Sequence, residues 1–309
     1  MLVGAGGKMG PTLALMAAEV LRDLGTGRRV RAVSRFSDPR ARALLEAGGV
    51  ETIACDLLDR RAVAALPDAE NVLFLAGQKF GTSEGPERTW AMNTIVPDIV
   101  AERFAASRIV AFSTGCVYSF ASVFSGGSRE DAPTSPAGDY ANSCLGRERI
   151  FQFASRTRRT RVCLFRLNYA IDFRYGVLLD VAQRVRRGEA IDLTTGFANV
   201  IWQGDANARA LQCLELADTP ALAVNVTGPE TLSIREIAED FGRRFGVQPQ
   251  FTGTEAPTAW LSNAGRSFQL FGYPTVSVDQ MIDWTEAWIH AGADTLGKPT
   301  HFETRDGSF

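Results

Sequence analysis

The chain of 309 residues is 45% hydrophobic and 22% charged, enough apolar sequence to bury one long domain or two smaller ones. Its net charge of -2 and the lack of a concentrated basic stretch give no electrostatic reason to expect nucleic acid or an anionic membrane as partner, and point to small-molecule ligands. Cys55, Cys116, Cys144, Cys163 and Cys213 are odd in number, scattered and without a CxxC pair, and the two histidines, His290 and His301, both lie late in the chain. A disulfide framework, a metal site and a Ser-His-Asp hydrolase are therefore not expected.

The chain opens MLVGAGGKMG, with only Met1 to Val3 ahead of Gly4. A central strand usually takes about five residues, which raises the question whether the native chain begins further upstream. Gly4, Gly7 and Gly10 then stand in GxxGxxG spacing before a helical pattern at 9–24. Such glycines let the backbone, here with Lys8 and Met9, approach a pyrophosphate at a helix N-terminus; an ordinary tight turn is the alternative. Extended runs at 28–34, 50–55, 71–77, 107–114 and 160–167 alternate with helical patterns at 38–47, 58–66, 86–106 and 138–156. That alternation predicts an α/β fold, a doubly wound parallel sheet with ligands beyond the carboxyl ends of its strands.

The second run ends Ser34-Arg35. An Arg there can pair with a 2′-phosphate, where a carboxylate would take a ribose hydroxyl, so NADP is favoured over NAD; a solvated Arg is the competing reading. Asp56 and Leu57 follow the third run, where an adenine could be met, or Asp56 caps the next helix. Past the aperiodic stretch 119–139 and beyond Asn168 the pattern mixes short extended pieces with helices near 175–187, 205–217, 232–245 and 277–290. The expected division is a dinucleotide-binding domain over 1–168 and a smaller mixed α/β lobe over 169–309, partly interleaved with it. No apolar run reaches the roughly 20 residues of a membrane span, and a soluble, cytoplasmic protein is expected.

Together with FLAGQK at 74–79, Asn93 in WAMN, FSTGCVY at 112–118, Tyr140 and FRLN at 165–168, these pieces resemble the extended short-chain dehydrogenase/reductase superfamily, the NAD-dependent epimerases/dehydratases, over most of residues 1–230. The resemblance implies a Rossmann-type sheet and an NAD or NADP cofactor. Its binding residues would be Gly4, Gly7, Lys8, Met9, Gly10, Ser34, Arg35, Asp56 and Leu57, with Ala76, Gly77, Lys79, Asn93 and Asn168 from later segments. Thr114 takes the place of the catalytic Ser/Thr and Tyr140 that of the acid/base tyrosine, both also touching substrate. A phenol within reach of the substrate oxygen can move the proton that accompanies oxidation or reduction. Trp202, with Gln203 and Asp205 nearby, falls on the substrate side, its ring suited to a sugar face or else to the lobe core.

The resemblance also implies a lysine four residues after the tyrosine, and Cys144 stands there. Forming phenolate at pH 7 from a phenol that titrates near 10 costs about 4 kcal/mol without a cation. Lys79 and Arg147 are the candidates to supply one, unless Lys79 only binds phosphate and Arg147 only forms an ion pair. Cys144 itself reads as a small packing residue, or as a nucleophile without a nearby His. Gly115-Cys116 replaces the acidic pair that dehydratases carry, which disfavours dehydration. The leading expectation is an NAD(P)-dependent oxidoreductase or epimerase acting on a sugar, sugar acid or nucleotide sugar; the other is a catalytically silent NAD(P)-binding redox sensor or regulator. Helices 86–106 and 138–156 are where a homodimer would form.

Overall fold

In the computed structural model, which describes residues 1–79 and 81–307, seven strands form one sheet: β1 (Leu2–Val3), β2 (Arg31–Ser34), β3 (Glu51–Ala54), β4 (Asn71–Phe74), β5 (Arg108–Thr114), β6 (Arg161–Leu167) and β7 (Leu222–Val226). Their order is β7-β6-β5-β4-β1-β2-β3 and every pairing is parallel. The run IVAFST of β5 is buried on both faces, as a parallel strand between two helical layers requires. β1 is short, yet its ladder closes on both sides. Leu75 N–H donates to Val3 O at 2.8 Å, and Gly4 N–H donates to Val33 O at 2.8 Å. The direction of strand succession reverses between β1 and β4, which opens a crevice at their carboxyl ends.

The helical pattern expected over 86–106 is broken into Pro86–Trp90, a π turn at Ala91–Ile95 and Val96–Arg103. Pro97 lacks the N–H that would bond back to Asn93, so the turn widens there and Asn93 is set into the interior. A 21-residue helix, Gly138–Arg158, packs beside it. This helix is fastened to the sheet by a buried ion pair. Glu148 accepts from Arg166 Nε at 2.9 Å and Nη2 at 2.7 Å, and from Ser113 Oγ at 2.6 Å.

After β6 the chain builds a second core. Val177, Leu178, Val181 and Val185 of one helix meet Ile234, Ile237 and Phe241 of another, with Ile282 and Phe302 closing the cluster. The run ALAVNV returns to the sheet as β7, so the core of the first half is completed from the second. The C-terminal segment then runs back over the carboxyl edge of the sheet, where Arg305 stacks 3.9 Å from the Phe120 ring centroid. Among the described residues no helix is long and apolar enough to cross a membrane.

Candidate active site

The glycine loop forms one wall of the crevice. Gly4 has φ +88°, and a Cβ there would overlap Ala76; one on Gly10 would overlap Ala5. These two glycines pack protein against protein. Gly7 differs, since a Cβ built on it meets only Gly4 O at 3.8 Å and the loop face beside Gly6 is exposed. The helix Gly10–Asp23 that follows has no side-chain cap, with Met9 at its N-cap. An open loop ahead of uncapped N–H groups suits a pyrophosphate. Ser34 lies directly under Gly6, and Arg35 is exposed just beyond it.

Asp56 is exposed and accepts the N–H of Leu58, while the next helix is capped by Asp59. The Leu57 side chain turns into the core with Val3 and Val33, so only its backbone is left for a ligand. Ala76 is buried, and Gly77 forms a thin wall in which a Cβ would overlap the Arg147 guanidinium. Behind that wall Arg147 donates to Phe112 O at 2.8 Å and Asn93 Oδ1 at 2.6 Å, and its Nε has no partner. It forms no ion pair among the described residues. Asn93 in turn braces Gln78 N at 3.0 Å and Ser143 Oγ at 2.9 Å.

A cavity of about 190 Å³ opens at the carboxyl ends of β5 and β6, lined by Lys8, Lys79, Thr114, Cys116, Tyr140 and Asn168, with Tyr169, Tyr175 and Thr300. A wider groove of about 360 Å³ lies at the opposite, amino end of β1 and β2, away from every candidate proton-transfer group. Thr114 Oγ1 accepts the Cys116 N–H at 3.2 Å, which leaves its own proton for a substrate oxygen. Burial pushes the Tyr140 phenol well above its ordinary value; the Cys144 and Cys116 thiols add to this and Arg147 opposes it. The Lys79 ammonium stands 5.9 Å from the Tyr140 ring centroid and donates to Thr300 O at 2.9 Å. Burial lowers its pKa.

Residues 1–195 match the model of the NAD dependent epimerase/dehydratase family. The chain belongs to that family. No curated protein sequence matches it. Solved structures of similar fold include the UDP-glucose 4-epimerase of Thermotoga maritima with UDP-glucose, 16% identical with a TM-score of 0.77 over 94% of this chain and 98% of that one. The Thermus thermophilus UDP-glucose 4-epimerase in complex with NAD is 18% identical with a TM-score of 0.76, covering 94% and 99%. The dTDP-glucose 4,6-dehydratase of Streptomyces venezuelae, with NAD bound, is 16% identical with a TM-score of 0.78, covering 94% and 96%.

Within this family member, some expected site residues stand apart from the cavity. Cys144 is fully buried against Val117 and Tyr118, where burial pushes its thiol up; it packs and does not line the cavity. Trp202 does not line it either, its ring lying 4.9 Å from Phe173 and 5.1 Å from Trp284 in an aromatic cluster of the second lobe. Asp205 accepts from Thr275 and Val276, and Gln203 donates to Thr12; both join parts of the fold. Conversely, Cys116, Tyr169, Tyr175 and Thr300 are cavity residues that went unmarked as such in the sequence. Cys116 lies within FSTGCVY and Tyr169 directly follows FRLN, so both were within reach of that signal, whereas Tyr175 stands seven residues past Asn168. Thr300 arrives from the far end of the chain with no motif around it.

Proposed function

We propose that the protein is an NAD(P)-dependent oxidoreductase or epimerase acting on a hydroxyl of a sugar, sugar acid or nucleotide sugar, with Tyr140 as acid/base. The observation that carries this reading is that Thr114 and Tyr140 line one cavity beside an open glycine loop. Bound there, the dinucleotide supplies a hydride donor or acceptor. Thr114 orients the substrate oxygen through its free proton and Tyr140 moves the proton on that oxygen. The similar fold of a UDP-glucose 4-epimerase and a dTDP-glucose 4,6-dehydratase supports a carbohydrate alcohol as substrate.

Lys79 is the cation on the cavity side of Tyr140, and Arg147 acts from behind Gly77 as a second, buried positive charge. Both take over part of the work expected of a lysine at position 144. The high phenol pKa favours one other reading, an NAD(P)-binding regulator without turnover, which would show as clearly different affinities for NADP and NADPH and no reaction on any sugar.

Gly7→Val tests the cofactor site. The loop leaves room for the side chain within the protein, so the variant should fold with an unaltered circular dichroism spectrum. It should lose dinucleotide binding by at least about 100-fold, because the valine occupies the space a pyrophosphate needs. Unchanged titration of NAD and NADP would overturn the assignment. Arg35→Ala should weaken NADP by about 10-fold or more and NAD by less than about twofold, the loss of one charge-assisted pair to a phosphate. Equal losses for the two would remove Arg35 from 2′-phosphate recognition.

A further inference from the structure

The segment 298–307 crosses from the second lobe to the start of the helix that carries Tyr140, and it is tied down along its way. Thr300 lines the active-site cavity with Thr114 and Tyr140 and is 1% exposed. Its N–H and its hydroxyl donate to Asp180 at 2.7 and 2.6 Å, while its carbonyl accepts from Lys79 Nζ at 2.9 Å. Asp180 belongs to the helix Val177–Arg187 of the second lobe and Lys79 follows β4, so this one residue bridges the two sides of the crevice.

Further anchors hold the segment beyond Thr300. Phe302 is buried in the second core, and Glu303 pairs with Arg184 at 2.8 Å. Arg305 donates to Thr258 O and Thr258 Oγ1, each at 2.7 Å, and its guanidinium lies over the Phe120 ring. Gly307 has φ +80°, and a Cβ on it would overlap Ala137 O, immediately before the helix Gly138–Arg158. Moving the segment aside would strip partners from Asp180 and Arg184 and bring the Phe302 ring out of an apolar core, which opposes opening. The cavity beneath it holds about 190 Å³, less than the roughly 300 Å³ at which pockets begin to bury most of a drug-sized ligand. Its glycine-loop side is where the dinucleotide enters. A nucleoside diphosphate adds a base, a ribose and two phosphates to the hexose it carries, and room for these would have to come from the segment.

We propose that the segment 298–307 is the far wall of the substrate pocket and limits it to an unconjugated sugar or sugar acid, nucleotide sugars being excluded by size. This rests on the oxidoreductase or epimerase reading and narrows its substrate class. Specificity of this kind comes from a clash built against the larger ligand and not from an added contact to the smaller one. Arg305 and Gly307 fix the wall without touching the substrate, and so act as positioning residues.

The test is titration calorimetry of the full chain saturated with NAD or NADP, against D-glucose, D-galactose and D-glucuronate and the UDP conjugate of each. At least one unconjugated sugar should bind about 10-fold or more tightly than its conjugate. Binding of a UDP conjugate as tightly as its sugar or more so would overturn the proposal, and so would a failure of all three unconjugated sugars to bind. Arg305→Ala and Gly307→Ala should each speed amide hydrogen exchange over 298–307 and bring the ratio to within about threefold, with dinucleotide affinity kept within about twofold. A wild-type ratio in a variant whose segment exchanges faster would show that this wall does not set the size limit; should one variant fail to fold, the other and the wild-type ratio still decide. Failure of the broader reading shows separately, as no binding of NAD or NADP before any sugar is added.

Discussion

Tyr140→Phe is expected to lower kcat/KM by about 1,000-fold on any substrate the protein turns over, the usual scale for loss of a positioned acid/base, and to leave dinucleotide affinity within about twofold. The ring remains to pack against Cys116, Ala141 and Trp260, so the loss would be chemical and not structural. Because burial raises the phenol well above its ordinary value, it is protonated at neutral pH in the free protein. Donation of that proton in the reductive direction should be level across the neutral range, and the oxidative direction should gain with rising pH. A cation stabilises phenolate and lowers its pKa, so Lys79→Met and Arg147→Met should each move the oxidative limb to higher pH. Steady-state rates over a pH series read all three variants, and a Tyr140→Phe protein with ordinary turnover would sink the assignment. A lysine restored at position 144 is not expected to repair the site. Cys144 has no exposed surface and Arg147 acts on it directly, so Cys144→Lys adds volume to a filled core and a second cation beside the first.

Glu148→Ala should be the most destabilising single change in the neighbourhood of the site, about 3–5 kcal/mol, because it leaves the Arg166 guanidinium buried and uncompensated. The side chains of Arg166 and Glu148 are 5% and 0% exposed. Arg166 also donates to the Tyr118 hydroxyl at 2.6 Å, and that hydroxyl donates to Asn225 Oδ1 at 2.8 Å. Removing the carboxylate therefore disturbs a network joining the long helix, β6, β7 and the turn after β5. Urea denaturation gives the difference, and a loss below about 1 kcal/mol would show that the pair is not the fastening it looks to be. The double variant Glu148→Met with Arg166→Met should cost less than Glu148→Ala alone, since neither charge is then left buried.

The short β-rich runs and the helical patterns between them were enough to place β2 to β6 and the helices that cover them, because each element carries its own apolar pattern. The glycine spacing and the order of Thr114 and Tyr140 likewise identify the crevice, since loops at strand ends need particular residues locally. The role of Arg147 was open in the sequence. It depends on Gly77 and Asn93, contributed by β4's loop and a π turn made by Pro97, and nothing local tells an ion pair from a charge held by carbonyls. Trp202 is a similar case, its ring directed by Phe173 and Trp284 from separate segments. The charge of the cavity belongs wholly to the tertiary structure. Lys8 and Lys79 are 71 residues apart, and Thr300 meets Lys79 only because Phe302 is buried in the second lobe and draws the C-terminal segment across the sheet edge. Local patterns specify elements; the sign and solvation of a cavity are sums over side chains brought together by folding.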